Sequence, residues 1–111
     1  MAKSSKPTLH EHWAHLVSVT AASGGAEVAT PKGVVLLTTA SSGVVYLADG
    51  SYNGQMCVIA GNDNSNDTTV KASDNSTSIK GKSLIDVSAG DKSLICVWHH
   101  DGTNGYWYGV S

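Results

Sequence analysis

No phenylalanine and no arginine occur anywhere in this 111-residue chain, and glutamate, proline and cysteine appear only twice each. Without arginine there are no guanidinium forks for phosphate or guanine. The seven cations are all lysine and leave a formal net charge of -2, so no nucleic-acid partner is expected. With Glu11 and Glu27 as the sole glutamates, there is little from which to build a buried catalytic carboxylate pair. No apolar run, Val34-Val35-Leu36-Leu37 included, is long enough to span a bilayer as a helix. The basic residues at the N-terminus have no apolar stretch behind them to act as a secretory signal. The expectation is a protein made in a cytoplasm, with no membrane partner. Cys57 and Cys96 sit in apolar, strand-like runs without C-x-x-C spacing, and read as reduced core thiols rather than a disulfide or metal pair.

What remains is rich in Val, Leu, Ile, Ala, Thr and Ser, punctuated by twelve glycines. That mixture suits pleated strands and tight turns better than helices. Residues 1–16 read as an N-terminal arm. Within it Thr8 and Glu11 match a capping box, and Leu9, Trp13 and Leu16 share one stripe of a short helix. Residues 17–111 form the single domain. A strand is expected near 16–20, a loop over 21–32, a clear strand over 33–39 and another over 44–47. Further strands follow at 55–60, 68–72, 78–80, 84–87, 92–98 and 106–110, with a polar loop at 61–67 and a turn at 99–105. Asp49-Gly50 and Asp101-Gly102 are hairpin signals. Gln55 opens a strand apolar on both faces, where its amide is placed to satisfy backbone groups of a neighbouring turn. Strands this short and regular predict an all-β fold, a small antiparallel β-sandwich or jelly-roll-like barrel with an N-terminal arm.

Candidate chemistry is thin. His10, His12 and His15 invite a metal reading, but Ala14 stands where the zincin pattern needs its second histidine. His99-His100-Asp101 resembles an acid–base pair, yet adjacent strand residues point to opposite faces. The Asp- and Asn-rich loop over 61–67 lacks the order of a calcium-binding EF-hand. No metal, no cofactor and no catalytic set is therefore expected, and the chain reads as a non-enzyme. Trp98, Tyr106, Trp107 and Tyr108 suit either a core or subunit interface or a glycan-stacking platform.

From Val44 onward the turns fall in a recognisable order: Tyr46-Leu47-Ala48-Asp49-Gly50, Gly54-Gln55 into a strand through Ile59, Thr69-Val70, and Ser78-Ile79-Lys80-Gly81. Gly90-Asp91-Lys92-Ser93-Leu94, Trp98, and Asp101-Gly102 with Gly105-Tyr106-Trp107 complete it. Over roughly the last 60% of the chain this order resembles a recurrent β-module of tailed-bacteriophage virion proteins, found in capsid decoration (cement) proteins and in fibre or spike domains. The resemblance implies a homotrimer on the outer capsid surface that stabilises the head by binding the major capsid protein. The arm would make that attachment through Leu9, Trp13 and Leu16. The alternative it implies is a tail-fibre or spike module that binds a host-surface glycan around Trp98 and Trp107.

Overall fold

Alternating apolar and polar residues place the strands, because side chains in a strand point to opposite faces with period two. The computed structural model describes residues 15–38, 43–63, 66–72, 77–86 and 93–110. The expected capping box, and Leu9 and Trp13 of the helical stripe, lie outside these residues, whereas Leu16 is described and is in a strand rather than a helix. Among the described residues every regular element is a strand. They are β1 (Leu16–Thr20), β2 (Ala26–Val28), β3 (Gly33–Thr38), β4 (Gly43–Leu47), β5 (Met56–Asp63) and β6 (Thr68–Ala72). Then come β7 (Thr77–Ser78), β8 (Lys80–Gly81), β9 (Leu84–Ile85), β10 (Ser93–His100) and β11 (Gly105–Gly109).

The fold is all-β, with two mixed sheets. The larger has six strands in the order β1-β3-β5-β10-β11-β8, and the smaller has the order β2-β4-β6-β7, with β9 also pairing β6. The expected purely antiparallel arrangement is corrected here. β1 pairs β3 and β3 pairs β5 in parallel, as do β2 with β4, β4 with β6, and β11 with β8. The cause is connectivity. From β1 to β6 the chain alternates between the sheets, so each return to a sheet follows a strand in the other one and runs in the original direction. A parallel pair needs such a crossover, and here a strand supplies it.

The same alternation explains three local differences. The stretch over 21–32, read as loop, contains β2. Asp49-Gly50 does not close a hairpin but carries the chain from β4 in one sheet to β5 in the other. β5 extends through Gly61 to Asp63, into the expected polar loop, with a register irregularity opposite Leu37 and Thr38. Asp101-Gly102 does form a hairpin, between β10 and β11, although His99 and His100 belong to β10 rather than to the turn.

One apolar cluster is fed by both sheets. Val35, Leu37, Cys57, Ile59, Leu94, Cys96, Trp98 and Trp107 enter from the larger, and Val28, Val45, Leu47, Val70 and Ile85 from the smaller. Gln55 anchors the seam. Its side chain is 3% exposed; its Nε2 donates to the Pro31 carbonyl at 2.8 Å, and its Oε1 accepts the Ser51 N–H at 2.6 Å. A buried amide left unpaired would cost about 1–3 kcal/mol, so both ends are bonded to backbone as expected of this residue.

Candidate functional site

Strand alternation divides the four aromatic candidates between two surfaces. Trp98 and Trp107 stand opposite each other on β10 and β11, both turned into the core, with 5% and 0% of their surface exposed. Their ring centroids are 5.5 Å apart at 57°, a tilted packing that aromatic quadrupoles favour. The backbone of Gly50 and Gly105 lies against the Trp98 ring, so close that a Cβ at either position would overlap it. The Trp107 Nε1 donates to the Ala48 carbonyl at 2.9 Å. Tyr106 and Tyr108 are half-buried and point the other way, with the Lys80 ammonium 4.4 Å from the Tyr106 ring centre. The structure therefore does not bring the two indoles and the two phenols together on one surface. The indoles are core; the phenols belong to the outer face of the larger sheet.

That outer face is the distinctive surface of the molecule. Leu16, Val34, Val58 and Ile95 stand in lateral register across β1, β3, β5 and β10. Val110 extends the row, its N–H donating to the Ile95 carbonyl at 2.8 Å. The two ends of this ridge, Leu16 and Val110, are each 59% exposed. A second row runs Met56, Val97, Tyr108 and Lys80, and a third Ser18, Leu36, Ala60 and Ser93. Leu16, expected as an arm residue, thus opens an edge strand of this sheet. Leu9 and Trp13 lie outside the described residues.

The polar candidates do not converge. His15 shares a hydrogen bond between Nδ1 and the Lys32 carbonyl at 3.0 Å, while His10 and His12 lie outside the described residues. His99 and His100 are both exposed. The His100 Nδ1 accepts the Gly102 N–H at 3.0 Å, and Asn53 clamps the His100 backbone by donating to its carbonyl and accepting its N–H. Asp101 Oδ1 accepts the N–H groups of Asn104 and Thr103 at 2.8 and 2.9 Å, which holds its carboxyl below the usual range. In this hairpin the His100 and Asp101 side chains are both engaged with local backbone. Among the described residues no three His, Cys, Asp or Glu side chains gather closely enough to hold a metal ion.

No family model, curated protein or solved structure matches the chain.

Cys57 and Cys96 are free, buried and directly opposite on β5 and β10. Two residues along, the Trp98 N–H donates to the Gln55 carbonyl, which makes Cys57 and Cys96 a hydrogen-bonded pair of the ladder. Opposed Cβ atoms stand about 5.5 Å apart in such pairs, whereas a disulfide needs about 3.8 Å. Geometry thus favours two thiols. Burial pushes Cys57 up to about 12. Cys96 is raised further, by burial first and by its neighbour Cys57 second.

Proposed function

We propose that this chain is a structural protein of a virus particle: a capsid decoration or cement protein that assembles as a homotrimer on the outer shell. In this reading the two sheets form a β-sandwich. The arm over 1–16 reaches to the major capsid protein, with Leu9 and Trp13 as anchors and Leu16 at the point where arm becomes edge strand.

One observation carries the reading: the outer face of the larger sheet presents apolar rows with little charge. The ends of the ridge, Leu16 and Val110, are exposed, and Val34, Val58 and Ile95 between them are half-buried. Exposed apolar surface that lies together marks binding sites more often than scattered residues do. An assembling protein has a use for such a face. The order of turns from Val44 to Trp107 supports the virion setting.

The test is binding to tailed-phage heads that lack their decoration layer, with major capsid protein from the same genome. Co-sedimentation at a fixed copy number per head, and heads that then survive heating better, are expected. Removing residues 1–14 should abolish binding while leaving the β-domain's circular dichroism unchanged. A full-length protein that ignores the heads overturns the proposal.

A further inference from the structure

The structure assigns a site of spontaneous covalent modification: the Asn104–Gly105 peptide where β11 begins, at which the asparagine amide is exchanged for a carboxylate. The assignment is independent of the assembling role proposed above.

The chemistry is intramolecular. The Gly105 nitrogen attacks Cγ of Asn104 and a C–N bond forms. The amide nitrogen leaves as ammonia, carrying away the proton given up by the Gly105 N–H. Water then opens the five-membered succinimide at either carbonyl, giving aspartate or isoaspartate, and is the sole co-reactant. A glycine successor favours the attack because it has no Cβ to crowd the approaching nitrogen. Two asparagines in the chain precede glycine, Asn53 and Asn104, so sequence nominates two sites equally.

The fold separates them. At Asn53 the reacting groups are all engaged. Its Nδ2 donates to the His100 carbonyl at 3.2 Å, and its Oδ1 accepts the His100 N–H at 2.6 Å. The nucleophile, the Gly54 N–H, donates to the Trp98 carbonyl at 2.9 Å. Ring closure there must break three hydrogen bonds, and all three tie the turn to β10.

Asn104 is held through its backbone instead. Its N–H donates to Asp101 Oδ1 at 2.8 Å, and its carbonyl accepts the Asp101 N–H at 3.0 Å. The residue is exposed, and its side-chain amide has no hydrogen-bond partner among the described residues. Asp101 with Asn104, and Ile95 with Val110, mark the hydrogen-bonded pairs of the β10–β11 ladder. Such pairs alternate with non-bonded ones, so Gly105, opposite His100, turns its N–H away from β10. On that side β8 pairs only with Tyr108 and Gly109. Electrophile and nucleophile are both unengaged.

The product would be felt by the core. Isoaspartate routes the backbone through Cβ and inserts one extra atom just before Gly105, which lies so close to the Trp98 ring that a Cβ there would overlap it. Either product also adds a negative charge to the turn that the Asp101 carboxylate already organises, and like charges repel.

The test is to age the folded full chain at mildly alkaline pH beside a sample kept unfolded in urea, and to map both by peptide mass spectrometry. In the folded sample Asn104 should convert to a mixture of aspartate and isoaspartate. It should do so at least about tenfold faster than Asn53, where three hydrogen bonds must first be lost. In urea the two rates should converge. The near-UV circular dichroism of the folded sample should drift with the isoaspartate fraction. Asn104→Gln, whose longer side chain disfavours ring closure, should abolish both the conversion and the drift. Equal rates at the two sites in the folded protein overturn the assignment. So does an Asn104 that keeps its amide in the folded protein for as long as the unfolded chain takes to convert.

Discussion

The indole N–H of Trp107 reaches the carbonyl of Ala48 at 2.9 Å across 59 residues of sequence. Trp107 belongs to β11 of the larger sheet, and Ala48 follows β4 of the smaller, its own N–H bonded to the Val28 carbonyl. One side chain thus fills the shared core and stitches the two sheets together. Replacing it tests that double role. Trp107→Phe keeps an aromatic ring but removes the donor to a part-buried carbonyl and some core volume, and should cost about 1–3 kcal/mol in urea unfolding. Amide exchange should rise around Ala48. A variant as stable as the wild type would show that the bond contributes nothing.

Trp98 depends on two glycines. A methyl group at Gly50 or Gly105 would overlap its ring, so Gly50→Ala and Gly105→Ala should each destabilise by about 1–3 kcal/mol, the usual cost of overpacking. The near-UV circular dichroism of the indole should change with them. The effect should shrink in a Trp98→Leu background, because residues in contact are not additive. Equal losses in both backgrounds would place the cause in the glycine backbone instead.

The cysteine pair makes a pH prediction. Folded-state burial raises both thiols above the ordinary value of 9.0, so the folded chain holds its thiol protons where the unfolded chain releases them. Stability from this source is complete below about pH 9 and is lost as pH rises toward 12. The slope reaches about 1.4 kcal/mol per pH unit for each thiol. Urea midpoints measured from pH 7 to 10.5 should stay level at first and fall above 9. In the native state at pH 8 a disulfide reagent should titrate no thiol, and two after unfolding. Prompt native labelling would contradict the buried pair.

Asp101 predicts the opposite direction. Its carboxylate accepts the Asn104 and Thr103 N–H groups, and these bonds lower its acidity range from 3.8. The contribution is therefore present above that value and lost as pH falls through the lower, folded-state one. Acidification should speed amide exchange at Thr103 and Asn104 before it affects β5. Asp101→Ala should produce the same local loosening at neutral pH, with little change in global stability. Uniform exchange along β10 and β11 in that variant would argue that the carboxylate does not organise the turn.

Much of this molecule was legible from local pattern. Strand positions around β3, β5, β10 and β11 follow from period-two alternation, the Asp101-Gly102 hairpin follows from turn chemistry in which Gly102 takes a φ of 96°, and the role of Gln55 follows from the cost of burying an amide. β2 escaped notice because three residues, Ala26, Glu27 and Val28, carry too little alternation to stand out from a loop. The inward turn of Trp98 and Trp107, with Tyr106 and Tyr108 outward, was implied by alternation; which face was the covered one was not.

The residues by themselves determined that the domain would be built of strands, roughly where most of them lie, and that its central strands are apolar on both sides. Those properties depend on neighbours within a few positions. Tertiary structure alone decided that the strands alternate between sheets and pair in parallel, that Asp49-Gly50 is a crossover and not a hairpin, and that Leu16, Val34, Val58, Ile95 and Val110 form one ridge. Register between strands is set by long-range hydrogen bonding and by which side chains share the core, and no local spacing encodes it.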